Sequence, residues 1–377
     1  MNYTTHRIFT GLLVSVLMIT GYGCGSGGDG ASDIKNENGL FLISNDSFNQ
    51  TINVEVKKIE SLDTQLSNPK FIVISDSLML IRDGNTDNDI FKFFRVSDFK
   101  FIGSFGDQGE GPGEVSSPAF VNQGAFKTDS TFEYLDWGRR VLLRYNIDSV
   151  LHSERPFPEY EYTLPSNVIM LQRAIFLNDH HLVGSGGMRE GKLVKIDTRR
   201  DSIITRTEFT PILKEGLGNR SAGYIYAGEI VPNEDKERIA VTTQRFKTLE
   251  IYDYDLNLIS DSRFDENPVT ILGDENSIAT GETLIQYSNI TISDNYIFLL
   301  YSGNNYDDLE NAFYGDTSNL KESEIHVFDW NGEPVFRVLT DSYLSAISFD
   351  KRNNRIVGLA PYMEDYQNYI VYLDVPF

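Results

Sequence analysis

Cations recur along this chain beside residues that favour turns: Arg82, Arg139, Arg140, Arg189, Lys192, Arg245 and Lys247. Aromatic side chains accompany them at Trp137, Tyr301, Tyr306, Tyr362 and Tyr366. A guanidinium is a planar fork of donors that matches a carboxylate. An aromatic face suits a sugar ring or an apolar group. Arg82, Trp137, Arg139, Arg140, Arg189, Arg245, Tyr301 and Tyr362 are therefore the expected binding set for an anionic ligand, an acidic glycan or a peptide. The plain alternative is that loop arginines are solvated or pair with neighbouring acids.

A second pattern places oxygen donors at alternate positions: Asp83, Asn85, Asp87 and Asp89. That spacing is similar to the start of a calcium loop. The glycine at the sixth position and the glutamate at the twelfth, which here is Phe94, are missing. Calcium is thus a candidate cofactor, a polar hairpin turn the alternative, and no other cofactor is expected. Asn68, Asn122, Asn167 and Asn289 stand near the starts of strand candidates, where capping a turn is their usual role. Of the five histidines, His180 and His181 share a polar turn, and no Gly-x-Ser-x-Gly elbow occurs. A histidine-based or zinc-based active site is not expected, and the reading leans away from an enzyme.

The charge balance narrows the partners. Net charge is −22 over 377 residues. Binding nucleic acid needs a basic footprint, so that partner is excluded. Acidity of this size serves solubility.

The single cysteine, Cys24, permits no intramolecular disulfide. It follows a weakly basic start (His6, Arg7) and an apolar run from Ile8 to Ile19, too short to span a bilayer. Gly21-Tyr22-Gly23-Cys24 resembles a bacterial lipobox, with Gly21 where leucine is usual. The resemblance implies a signal peptide over 1–23 and a lipid on Cys24 that would hold the chain to a membrane. Residues 24–40, opening GSGGDGASD after the cysteine, read as a flexible tether. The expected location is the cell envelope, lipid-anchored at the outer membrane.

These candidate residues need a scaffold, and the chain supplies a repeat. Five times a β-rich run, a polar turn and a second β-rich run follow one another: 90–104, 141–154, 192–206, 249–262 and 324–338. The turns lie near Asp98, Asp148, Asp201, Asn257 and Gly332, a spacing close to 50 residues except for the last interval. An insertion from Ser302 to Ser323 accounts for that longer step. Such a period is the length of a four-stranded propeller blade. Each repeated hairpin supplies the outer two strands, and paired runs such as 69–75 and 77–83 supply the inner two. The last unit has only three strand candidates, and INVEVKKIE (52–60) is expected to provide the fourth. The predicted fold is all-β: a six-bladed β-propeller over 41–377, closed by an N-terminal strand so that no sheet edge stays open. A two-domain sandwich is the alternative.

Residues 105–120, FGDQGEGPGEVSSPAF, resemble the blade-to-blade connection of NHL-type propellers. They are similar in particular to TolB-like six-bladed propeller lipoproteins of Bacteroidetes, through Gly109, Gly111, Pro112, Gly113, Glu114 and Pro118. IHVFDWNGEPVFRVL (325–339) is similar to late blades of the same family. The resemblance implies the fold over roughly 40–377 and assigns no activity. In a propeller, the loops between second and third strands share one face, which gathers the candidate cations and aromatics. The expected function is non-catalytic binding or scaffolding at that face. The alternatives are a calcium-assisted hydrolase or lyase acting on a glycan or lactone, and a subunit of an outer-membrane assembly docked through 302–323.

Overall fold

The computed structural model describes residues 39–59, 66–84, 89–109, 111, 114–117, 126–128, 130–168, 171–186, 191–209, 225–264, 272–273, 278–279, 283–361 and 368–375. Three short strands come first: β1 (Leu40–Ile43), β2 (Gln50–Val54) and β3 (Lys57–Lys58). Blade one holds β4 (Pro69–Ile74), β5 (Leu78–Asp83), β6 (Phe91–Arg95) and β7 (Phe101–Phe105). Blade two holds β8 (Phe126–Thr128), β9 (Thr131–Asp136), β10 (Val141–Asn146) and β11 (Tyr160–Thr163). Blade three holds β12 (Leu171–Asn178), β13 (His181–Gly186), β14 (Leu193–Asp197) and β15 (Ser202–Arg206). Blade four holds β16 (Ile230–Asn233), β17 (Arg238–Thr242), β18 (Thr248–Asp253) and β19 (Leu258–Phe264). A small hairpin follows, β20 (Leu272–Gly273) and β21 (Ile278–Ala279). Blade five holds β22 (Tyr287–Ile292), β23 (Tyr296–Tyr301), β24 (Glu324–Asp329) and β25 (Pro334–Thr340). Blade six holds β26 (Ala346–Asp350), β27 (Arg355–Ala360) and β28 (Tyr369–Asp374), with β3 as its fourth strand.

The expected six-bladed propeller is therefore the fold. Its burial pattern follows from stacking sheets face to face. Middle strands such as β6 and β14 are covered on both faces, so FKFF and LVKID are buried without alternation. Outermost strands such as β15 alternate instead. A separate apolar core fills each junction. Between blades one and two, Phe91, Phe93 and Phe105 meet Phe132, Tyr134 and Tyr145. Ring closure lies between blades six and one, where Met79, Ile81 and Phe94 pack on Val357, Leu359 and Ile370. Innermost strands also reach across: Ser348 Oγ accepts from Ile74 N at 2.9 Å, and Asn289 Oδ1 from Ile347 N at 2.9 Å.

Closure uses the expected segment in an unexpected way. Among the described residues of that segment, Lys57 and Lys58 pair with β28, extended by Ile59 N donating to Ile370 O at 3.0 Å. The stretch before them, Gln50–Val54, lies parallel to β25 as a fifth strand of blade five. Farther upstream, β1 lies parallel to β19 as a fifth strand of blade four. The N-terminal segment thus runs as a strap over three consecutive blades. Phe48 anchors it, buried against Phe264, His326 and Phe328.

One repeat departs from expectation. The second half of 141–154 is not a strand but the helix α1 (Ile147–His152). The Asn146 side chain caps it by accepting from Ser149 N at 3.1 Å. Ile147 and Val150 are buried, with Leu151 packed beside them on the core between blades one and two. The outer strand of blade two comes later, at β11. The insertion also carries a helix, α2 (Tyr306–Phe313), capped by Asn305. Asn304 fastens its two ends: the Oδ1 accepts from Lys321 N at 2.8 Å, and the Nδ2 donates to Ser302 O at 3.0 Å.

Candidate functional site

In each blade the second strand ends, and the third begins, on the same rim as the blade-to-blade connection. Two aspartates at second-strand ends perform one task there. Asp83 accepts from Ser67 N at 2.9 Å and Asn68 N at 2.6 Å. Asp136 accepts from Ser116 N at 2.9 Å and Ser117 N at 3.1 Å. Both are buried and pin the incoming connection. Asp136 also accepts from Arg139 N at 3.2 Å, which shapes the turn after β9.

Arg82 precedes Asp83 and stands over the Phe71 ring at 5.7 Å. Its Nε is buried and has no hydrogen-bond acceptor. Burial, and then the charge of Arg173, push its pKa down to about 10. Arg173 comes from β12, the innermost strand of blade three, and is itself buried. Unlike Arg82 it has a carboxylate: its Nε donates to Glu229 Oε2 at 2.9 Å, and its Nη2 donates to Glu229 Oε1. Lys70, from the innermost strand of blade one, is exposed. Its pKa is lowered by desolvation and then by Arg82. Cations from blades one and three thus converge: Glu229 holds Arg173 and Asp83 acts on Lys70, while no carboxylate pairs with Arg82 among the described residues. Sequence reasoning singled out Arg82 and missed Arg173 and Glu229. The available signal was an arginine inside the otherwise largely apolar strand LQRAIFLN.

On blade four, the turn from Thr242 to Thr248 carries Arg245, only 9% exposed. Its Nη1 is buried without an acceptor. Tyr306, the first residue of α2, covers the guanidinium at 4.9 Å. The turn leans on the start of blade five, with Gln286 N donating to Gln244 O at 2.8 Å. Lys247 sits over Phe264 at 3.9 Å and over Tyr301 at 4.3 Å. Two cation–aromatic pairs expected only as neighbours on one face are thus in contact.

Behind Tyr301 lies a buried relay. Tyr287 Oη donates to His326 Nδ1 at 2.9 Å, and His326 Nε2 donates to Glu324 Oε2 at 3.0 Å. Arg337 holds Glu324 through two bonds of 2.7 Å. Burial pushes His326 down to about 4, so the neutral ring is the native form. Burial works against the charge of Glu324, but the bonds from His326 and Arg337 outweigh it and bring it to about 2.

The remaining expected residues have other surroundings. Arg140 Nη2 donates to Pro165 O at 2.7 Å and Val168 O at 3.0 Å, tying blade two to the next connection. Arg139 points toward the outermost strand of its blade, 3.9 Å from Glu161. Trp137 is 42% exposed. Lys192 is buried, bonded to Glu250 and flanked by Tyr226 and Tyr252. Arg189 and Tyr362 lie outside the described residues, as do Asn85 and Asp87 of the calcium pattern and Cys24. Of that pattern, Asp83 receives Lys92 Nζ at 2.7 Å besides its two amides, and Asp89 receives Ser104 Oγ. Among the described residues no group of three His, Cys, Asp or Glu could hold a metal ion. Among them, too, no helix is long and apolar enough to cross a membrane.

Comparison with known proteins fits this architecture. The family described as TolB-like 6-blade propeller-like matches residues 47–352. A solved structure from Bacteroides fragilis NCTC 9343, described as an exported protein, is similar at 14% identity and a TM-score of 0.53. It is covered over 99% of its length by 87% of this chain. A member of the DUF4221 family from Bacteroides vulgatus ATCC 8482 is similar at 11% identity and a TM-score of 0.54. There, 85% of this chain covers 97% of the other. No protein of curated function matches the sequence.

Proposed function

The chain belongs to the TolB-like six-bladed propeller family, and we propose that it is a non-catalytic binding protein of the cell envelope. Its ligand is anionic and sits at the channel mouth beside Arg82. The observation that carries this reading is the buried Nε of Arg82, which has no acceptor and stands in the field of Arg173. A cation removed from water without a counter-charge costs several kcal/mol. A ligand carboxylate at this place would offset that cost with a paired, charge-assisted bond. The described ionisable groups around Arg82 are Lys70, Arg173 with Glu229, and Asp83 with Lys92.

An envelope location is supported by the exported relative and by the sequence around Cys24. The test of ligand binding is calorimetric titration of the full chain with acidic oligosaccharides and acidic peptides. Binding that Arg82→Ala weakens at least about tenfold supports the reading. Binding indifferent to Arg82, or absent for every anion, defeats it. Radiolabelled palmitate incorporated into the wild type and lost in Cys24→Ser would support the anchor.

A second reading has its own observation. Phe313 and Tyr314, at the end of α2, are 63% and 77% exposed in an acidic insertion. Aromatic side chains in such positions serve as anchors for a protein partner. Co-purification from envelope extracts that depends on residues 306–314 supports that role.

A further inference from the structure

Arg82 shares its predicament with one other candidate cation. Arg245 is nine-tenths buried, and its Nη1 also lacks an acceptor. Among the described residues, its recorded contact is the ring of Tyr306, which offers polarizable electron density but no formal charge. Arg82 lies in the second strand of blade one, one residue before its end, and Arg245 lies in the turn between second and third strands of blade four, so both stand near the same rim. In a closed ring of six, those blades are opposite one another. Charges on opposite blades are engaged together by an anion that reaches from one to the other. They can be met by a chain carrying acids at intervals.

Resting on the reading that an anion binds at Arg82, we infer that the ligand is an acidic oligosaccharide held at two points, with one uronate-type carboxylate on Arg82 and another on Arg245. Tyr306 favours a sugar over a peptide. One face of its ring covers Arg245, and the residue remains 38% exposed. A flat aromatic surface beside a carboxylate fork is the pairing that receives a pyranose ring bearing an acid. The insertion that carries Tyr306 is fastened by Asn304, so the ring is held in place rather than left to find its position on binding.

The experiment titrates the full chain, its Arg82→Met and Arg245→Met variants and the double variant. The probes are galacturonic acid, an oligogalacturonate of several units and an oligoglutamate of similar charge. Melting temperatures check folding, and Arg82→Lys and Arg245→Lys replace any variant that does not fold. Two-point binding predicts that the oligogalacturonate binds at least about a hundredfold tighter than its monomer, since the second contact becomes intramolecular. Each single variant then falls to about the level at which the monomer binds the wild type, and the double variant binds more weakly still. If monomer and oligomer bind alike, or if only Arg82 matters, the two-point inference is overturned while anion binding at Arg82 stands. If the oligoglutamate binds and the oligogalacturonate does not, the sugar assignment is overturned. If no probe binds, both readings fall.

Discussion

Arg82 on blade one lies near enough to Arg173 on blade three for the second charge to disfavour the first, yet only Arg173 is held by a carboxylate, that of Glu229. The asymmetry separates a structural cation from one left over by folding. It predicts opposite outcomes for similar substitutions. Glu229→Ala strands a buried guanidinium and should cost about 3–5 kcal/mol in denaturant unfolding. Arg82→Met removes a charge that no carboxylate pairs with among the described residues, and should leave stability unchanged or raise it by up to about 1 kcal/mol. A large loss from Arg82→Met would mean that the fold, not a ligand, needs this cation.

Acid should destabilise the protein in two joined windows. His326 is held below its ordinary value, at about 4, so the unfolded chain takes up its proton first as pH falls. Its contribution is complete above about 6.5 and is lost as pH drops toward about 4. Over that window the loss is about 3 kcal/mol. Glu324 is also depressed, to about 2, and its contribution is lost on the further fall from about 4.5. Unfolding free energies measured from pH 8 to pH 4 in wild type and His326→Gln check this. The variant should show a flatter slope between about 6.5 and 4.

The strap should matter to the ring it crosses. Phe48 is 7% exposed in the core between blades four and five. Phe48→Ala should cost about 3–5 kcal/mol by chemical denaturation. By contrast Lys57→Ala, which removes the exposed pair with Asp374, should leave the denaturation midpoint nearly unchanged.

Asn304 predicts a local effect. It is fully buried, and its amide joins Ser302 to Lys321. Asn304→Ala leaves those backbone groups unmet, at about 1–3 kcal/mol. Hydrogen exchange should rise across residues 302–323 and little elsewhere. Uniform loosening of blade five would count against the fastening role.

Legibility followed burial. Middle strands such as FKFF in blade one and EIHVFD in blade five lie between neighbouring sheets, so they read as runs rich in aromatic and β-branched residues. The turns read just as clearly. Asp329 accepts from Asn331 N and Glu333 N, and Gly332 takes φ +89°, so Asp-Trp-Asn-Gly carries its own turn chemistry. The run after Asn146 did not read correctly. Ile147, Val150 and Leu151 have the spacing of a helix face, but over too few residues to stand out from a strand.

Within the candidate site the division is similar. Arginines gathered on one face could be read from blade order, because the period alone assigns loops to faces. Which of them has a counter-charge could not. Lys192 and Arg245 look alike along the chain, yet Lys192 meets Glu250 from the neighbouring blade while Arg245, among the described residues, meets an aromatic ring and no acid.

The sequence by itself determined the number of blades, the location of the insertion and the N-terminal source of the closing strand. Those follow from local periodicity and turn residues, which act within a few tens of residues. The tertiary structure decided that Lys57, Lys58 and Ile59 make the closing pairing, that the preceding strands brace blades four and five, and that Arg245 and the Nε of Arg82 are buried with no acid paired to them among the described residues. Each depends on residues distant in the chain meeting across a blade junction, where burial and the neighbouring charge, not residue type, set the energy of a cation.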